Sequence, residues 1–315
     1  MRLVFRHRLA DNPDMSSSVV TLIAAPAGAA RLDAALGAVR RGLRALGAEV
    51  GAVDWLAPGI ACDVLFDGLD LDQADAAVGE ALGSLPIDRV VQRTAGRRKR
   101  LLVADMESTV IENEMLEDLA DYLGLREQVA EITRQAMNGE MDFVTALEAR
   151  VALLKGLPAS ALDDAAERIR LMPGAAVLVA TMRRVGGAKA ALVSGGFRCF
   201  TDIVRDQLGF DFAVANDLPV EEGRIAGFLV PPVVTRETKL ETLKHLAAQH
   251  RLPLADTLAV GDGANDLPMI EAAGLGVAYH AKPAVAARAR ARIDHGDLTA
   301  LLYAQGYRAE DIVTP

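Results

Sequence analysis

Cysteine is nearly absent from this chain. Only Cys62 and Cys199 occur among 315 residues, with no C-x-x-C pair and no His/Cys cluster. That argues against a disulfide framework or a structural zinc site and fits a reducing compartment. Aromatic residues make up only 4%, with a single Trp. Basic residues are outnumbered, 34 against 43 acidic, for a net charge of −9. General nucleic-acid binding needs a basic face and is not expected, although a few local cations could still hold a small anion. No run of about 18 uncharged apolar residues suggests a membrane span. The opening MRLVFRHRLADNPDMSSS mixes charges into short apolar patches and lacks the apolar core of a signal peptide. The expectation is a soluble cytoplasmic protein without nucleic-acid or membrane partners.

What is abundant is Ala, Val, Leu and Gly, within a chain that is 51% hydrophobic. That composition suits helices packed closely on a parallel sheet, and the length allows one large or two moderate domains. Residues 18–92 read as a small α/β unit. SVVTLIAA, EVGAVDWLA, ACDVLFDG and IDRVVQ are predicted strands, and 31–46 and 71–84 are predicted helices. The order β-α-β-β-α-β is the split βαβ pattern of ferredoxin-like domains. TAGRRKR (94–100) reads as a solvated basic linker, with contact to an acidic partner as the alternative.

From residue 101 the pattern changes. LLVADM is a strand, 113–170 is almost wholly helical with a break near Gly156 and Pro158, and AKAALVSGGF (188–197) is a strand ending in glycines. FAVANDL and RIAGFLV read as short strands that could pair as a hairpin; 236–250 is a helix, DTLAVGDGAND and GLGVAY contain strands, and IDH starts a last one. Strands alternating with helices predict a doubly wound parallel sheet. Ligands bind such sheets beyond the carboxyl ends of the strands.

Three of those ends carry polar clusters. ADMESTVIENE (104–114) puts Asp105 and Glu107 two apart, with Glu114 further on; SGGF supplies Ser194 and Gly195; GDGAND supplies Asp262, Asn265 and Asp266. Taken singly, each has an ordinary explanation: acids near a helix N-terminus, a plain glycine turn, an acidic loop. GDGAND lacks the Glu that a calcium loop would place twelve residues from Asp262. Taken together they suit phosphoryl chemistry. Carboxylates from two strand ends can share Mg²⁺, which offsets their repulsion and polarises a phosphoryl oxygen. One carboxylate can attack phosphorus, and the other can move the proton. A hydroxyl, backbone amides and a lysine then hold the equatorial oxygens. Lys239, in VVTRETKLETL, stands between the second and third clusters in the chain.

The order DMEST, SGGF, Lys, GDGAND resembles the haloacid dehalogenase superfamily and, within it, the phosphoserine phosphatase family. ENEMLEDLAD and EITRQAMNGEMDFVTALEARVALLKGL resemble that family's helical cap, and the likeness runs over roughly 100–300. The N-terminal unit resembles ACT-type regulatory domains. The resemblance implies a HAD-type core over 96–315 with a cap at about 113–175, behind an ACT-like regulatory or dimerisation domain over 1–95. Asp105 would be nucleophile and metal ligand. Glu107 would be the general acid/base and bind Mg²⁺ through its backbone carbonyl. Ser194, Gly195 and Lys239 would hold the phosphoryl group, Asp262 would complete the metal ligands, and Asn265 and Asp266 would order the metal's waters and Lys239. Glu114 would meet the substrate's ammonium, Arg150 its carboxylate, and Phe143 would close the pocket. The implied reaction is hydrolysis of O-phospho-L-serine, the last step of serine biosynthesis, by a homodimer that could also bind serine at its N-terminal domain. Another small phosphomonoester, a phosphoryl acceptor other than water, or an amino-acid sensor with an impaired core are the alternatives. One departure bears on the last: Glu107 stands where the family usually has Asp.

Overall fold

The first strand among the described residues is buried along its whole length, which an isolated two-layer unit would not require. The computed structural model describes residues 17–137 and 140–315; the opening segment read above for a signal peptide lies almost wholly outside them. The N-terminal unit runs β1 (Ser18–Ala24), α1 (Leu32–Ala45), β2 (Glu49–Ala57), β3 (Ala61–Asp67), α2 (Leu71–Leu82) and β4 (Ile87–Arg93). Its strands form an antiparallel sheet in the order β2-β3-β1-β4. Val20, Leu22, Val64 and Phe66 on one face pack against Leu32, Val39, Leu43 and Val78 of the two helices. Asp70 caps α2 by accepting the Asp72 and Gln73 amides, a contact worth about 1 kcal/mol. The opposite face is covered too. Ile23, Leu56, Ala57, Ala61 and Val90 share a core with Leu298, Leu301, Leu302 and Tyr303 near the far end of the chain. Burial on both faces explains why β1 reads as one apolar run.

The second unit begins with β5 (Leu101–Ala104). Four helices follow, α3 (Met115–Asp121), α4 (Arg126–Met137), α5 (Phe143–Ala152) and α6 (Ser160–Ala166), before α7 (Ala175–Arg184). The remainder is β6 (Lys189–Phe197), α8 (Arg198–Leu208), β7 (Phe212–Asn216), β8 (Val220–Glu221), β9 (Arg224–Ile225), α9 (Arg236–Gln249), β10 (Thr257–Gly261), α10 (Leu267–Ala272), β11 (Leu275–Tyr279), α11 (Pro283–Ala286), β12 (Ala291–Ile293) and α12 (Ala300–Ala304). The sheet β12-β11-β10-β5-β6-β7 is parallel throughout. The carboxyl ends of β10, β5 and β6 are therefore neighbours. Helices α3 to α6 form an excursion whose two connections run side by side: the Glu112 amide donates to the Arg170 carbonyl and the Met172 amide to the Val110 carbonyl.

Four local expectations change. The helical stretch from 113 to 170 breaks at more places than Gly156; Gly124 adopts a left-handed φ of 68° after α3, and Asp142 caps a new helix, α5. FAVANDL and RIAGFLV do not form a continuous hairpin ladder; they meet at a single antiparallel bridge, Asp217 with Val230. β7 joins the main sheet beside β6, and the hairpin is the short β8–β9 pair. IDH ends a strand rather than starting one, because Asp294, His295 and Gly296 turn their amides onto the Asp88 carboxylate of β4. The basic linker is solvated only in part, with Arg98 and Arg100 exposed, and three of its cations have partners in the fold. Arg97 pairs with the buried Asp63 at 2.6 Å. Arg98 bridges to Asp311 and lies 4.2 Å from the centre of the Tyr307 ring. Lys99 is buried and donates to the Gly96 and Ala255 carbonyls. These residues join the two units.

Candidate active site

Asp105 follows β5 directly, and its amide continues the ladder by donating to the Val260 carbonyl at 3.0 Å. Its Oδ1 accepts the Met106 amide at 2.7 Å. Lys239 enters from the first turn of α9. That helix starts sharply because Thr235 and Thr238 exchange side-chain and backbone hydrogen bonds in a capping box. Lys239 is 1% exposed, and its ammonium lies 2.7 Å from both Asp105 Oδ1 and Asp266 Oδ1. Burial disfavours its charge, but the two carboxylates outweigh burial and hold the ammonium above its ordinary value. Asp266 is fixed from the other side by the Gly263 amide at 3.0 Å.

Asp262 completes an acidic cluster. Oxygen atoms of Asp105, Asp262 and Asp266 lie within 4.8 Å of one another. Burial first, and then the Asp105 charge, push the Asp262 carboxyl up to about 6 and raise Asp266 as well. Lys239 neutralises only part of this charge. An all-oxygen donor set with excess negative charge fits a hard divalent cation.

The Glu107 carboxyl points elsewhere. Its Oε1 accepts the Met115 amide at the start of α3, at 2.9 Å. Its two oxygens lie 3.0 and 3.1 Å from where a Cβ on Gly196 would sit. Burial, followed by repulsion from Glu114, pushes it up to about 8, so near neutrality it holds a proton that it can give away. Beside it, the fully buried Ser194 accepts the Gly196 amide on Oγ at 2.9 Å. Gly195 lies under the Phe143 ring, whose Cζ is 3.7 Å from the position a Cβ would take.

Two cap side chains converge on the same space. Glu114 accepts the Ser108 hydroxyl at 2.7 Å. Arg150 is anchored by the Ala146 carbonyl and the Thr133 hydroxyl. Burial lowers its pKa, while Glu107 and then Glu114 act in the opposite direction, which sets its charge against those two carboxyls. Asn265 stands on the cleft beside this group. It makes no hydrogen bond to Lys239 and lines, with Phe143 and Thr235, this cleft of about 360 Å³ between cap and core. The sequence reading passed over Asn216. It is 1% exposed and bonds both the Gly195 carbonyl and the Val234 amide at 2.7 Å. A polar residue closing the apolar run FAVAN was the available signal.

This geometry has clear relatives. The phosphoserine phosphatase SerB2 of Mycobacterium tuberculosis is 39% identical over 284 residues, covering 88% of this chain and 69% of that protein. A phosphoserine phosphatase of Streptomyces coelicolor is 40% identical over 257 residues, 81% of this chain and 62% of its own length. The chain thus spans about two thirds of these two relatives. The crystal structure of a probable phosphoserine phosphatase from Vibrio cholerae, in unliganded form, superposes with a TM-score of 0.73 at 33% identity, over 94% of this chain and 88% of that one. The sequence pattern of the haloacid dehalogenase-like hydrolases matches residues 102–271, more than half the chain. On that match and these relatives, the chain belongs to the haloacid dehalogenase-like hydrolase family.

Proposed function

We propose that this chain hydrolyses O-phospho-L-serine to L-serine and phosphate, the closing step of serine biosynthesis, in the cytoplasm. The observation that carries this reading is the meeting of a phosphoryl-transfer set with two opposite cap charges. Asp105, Glu107, Ser194 and Lys239 come from strand ends and one helix start, while Glu114 and Arg150 face them from the cap. Glu114 meets the substrate ammonium, Arg150 meets its carboxylate, and Phe143 closes the apolar side. The relatives bearing the phosphoserine phosphatase name support the same substrate.

Asp105 attacks phosphorus as its bond to the serine oxygen breaks, and the proton on Glu107 goes to that oxygen. The product is an aspartyl-phosphate and free serine. Glu107, now a carboxylate, takes a proton from water as the water attacks phosphorus, and Asp105 leaves as a carboxylate. Ser194, the Gly195 amide and Lys239 hold the equatorial oxygens, where charge is spread in the transition state. Mg²⁺ would be held by Asp105, Asp262 and the Glu107 backbone carbonyl, with Asp266 and Asn265 ordering its waters, and would polarise a phosphoryl oxygen. No helix among the described residues is long and apolar enough to cross a membrane.

The test is phosphate release from L-phosphoserine with Mg²⁺ and with EDTA, beside sugar phosphates, nucleotides and phosphothreonine. Mg²⁺-dependent preference for phosphoserine is expected; release from another ester alone would overturn the cap assignment. The N-terminal unit is proposed as a serine-responsive or dimer-forming domain. Serine inhibition and sedimentation of the full chain test it. Truncation at residue 95 is a poor substitute, since it would strip the cover from Leu298, Leu301 and Leu302.

A further inference from the structure

We propose that Asn216 is a positioning residue for phosphoryl transfer, locking the anion-binding turn of β6 to the helix that carries Lys239. The proposal rests on the phosphatase reading above and adds a residue with no role in it.

The need for such a residue lies in the sheet. β6 and β7 pair in register at Val193 with Val214 and again at Phe197 with Asn216. Three residues of β6, Ser194, Gly195 and Gly196, therefore stand opposite a single residue of β7. The ladder is broken over this bulge, and its backbone groups are released from strand pairing. That freedom lets the turn present amides to an anion, but it leaves the turn without a fixed orientation.

Asn216 supplies the orientation from the first position where the ladder resumes. Its Nδ2 donates to the Gly195 carbonyl at 2.7 Å. That carbonyl belongs to the peptide whose other end, the Gly196 amide, donates to Ser194 Oγ at 2.9 Å. The peptide plane is thus held at both ends. With one lone pair of Ser194 Oγ engaged by this amide, its own hydrogen is directed away, available to a phosphoryl oxygen. The second end of Asn216 reaches the other half of the cradle. Oδ1 accepts the Val234 amide at 2.7 Å, and Val234 precedes Thr235, the N-cap of α9. Lys239 lies one turn further on. A single buried amide thereby sets the spacing between the Ser194–Gly195 turn and the Lys239 ammonium. Its amide donor and carbonyl acceptor are both used, so neither Asp nor Leu can replace it. Asp262 and the β5–β10 pairing that places Asp105 lie outside this bridge.

The experiment uses the full chain with Asn216→Asp, which keeps shape and the acceptor for Val234 but loses the donor to Gly195, and Asn216→Ala. Orthovanadate binding to Mg²⁺-loaded protein is measured by calorimetry, with Mg²⁺ binding titrated separately and kcat and KM for phosphoserine measured on the same samples. Loss of a partner that orients a metal ligand typically costs about 10–100-fold in affinity or activity, and the same scale is expected for a partner that orients an anion-binding turn. Orthovanadate affinity and kcat should fall together on that scale in the folded fraction, with Mg²⁺ affinity unchanged. Wild-type orthovanadate affinity and kcat in either folded variant would overturn the proposal. So would a parallel loss of Mg²⁺ affinity, which marks general loosening of the core. Should Asn216→Ala not fold, Asn216→Asp decides alone. A native chain that binds orthovanadate but leaves phosphoserine intact would sink the substrate reading while the binding comparison still judges Asn216.

Discussion

Replacing Glu107 by Gln changes the proton inventory of the site while leaving its shape nearly intact. The Gln oxygen can still accept the Met115 amide that Glu107 Oε1 accepts at 2.9 Å, so the start of α3 is expected to hold. What disappears is the proton that burial and Glu114 keep on the Glu107 carboxyl, together with the base that this proton leaves behind. General acid/base catalysis contributes about 10²–10⁴-fold, or roughly 3–5 kcal/mol of barrier at about 1.4 kcal/mol per decade. Turnover of phosphoserine by Glu107→Gln should fall within that range. The two halves of the reaction separate with leaving-group chemistry. The serine oxygen needs a proton to depart, whereas p-nitrophenolate does not. Stopped-flow with p-nitrophenyl phosphate should therefore show a burst of one p-nitrophenol per active site and then a slow phase, because water attack on the aspartyl-phosphate still lacks its base. With phosphoserine no burst should be seen. Unchanged phosphoserine turnover, or equal slowing of both substrates in the first step, would refute the assignment of acid and base to this one carboxyl.

Lys239→Met should abolish useful turnover and, in metal-free protein, destabilise the chain by about 3–5 kcal/mol, because it leaves the Asp105 and Asp266 carboxylates buried without their cation; an unchanged melting temperature in EDTA would contradict this. Gly196→Ala places a methyl carbon 3.0–3.1 Å from both Glu107 oxygens and Ser194 Oγ. It should lower kcat by displacing the acid, and wild-type kcat would mean that the carboxyl acts from another position. Arg150→Ala should raise KM for phosphoserine far more than for a phosphomonoester without a carboxylate, and equal changes for both would remove Arg150 from substrate recognition. Asp88→Ala deprives the Asp294, His295 and Gly296 amides of their acceptor. At about 0.5–1.5 kcal/mol net for each hydrogen bond lost, it should lower the melting temperature by several degrees while turnover at 25 °C is kept.

The sequence by itself determined the strand and helix alternation, the excursion after Asp105 and the order of the polar clusters. These are local properties. A buried parallel strand must be apolar along its length, as Leu101 to Ala104 are, and the first polar residues after it lie where ligands gather. The same locality set the limit. Periodicity marks Ser18–Ala24 as a strand but not that Leu298 to Tyr303 cover its second face. Charge counting takes Arg97 to Lys99 for a solvated run, because their partners Asp63, Tyr307, Asp311 and Ala255 are remote in the chain. Asn216 looked like an ordinary strand end until the placement of β7 beside the β6 bulge gave its amide two partners from different elements. Only the tertiary structure decided these points, and with them the crowding that raises Glu107 and Asp262. Electrostatic and hydrogen-bond energies are summed over neighbours in space, whereas residue patterns register only neighbours along the chain.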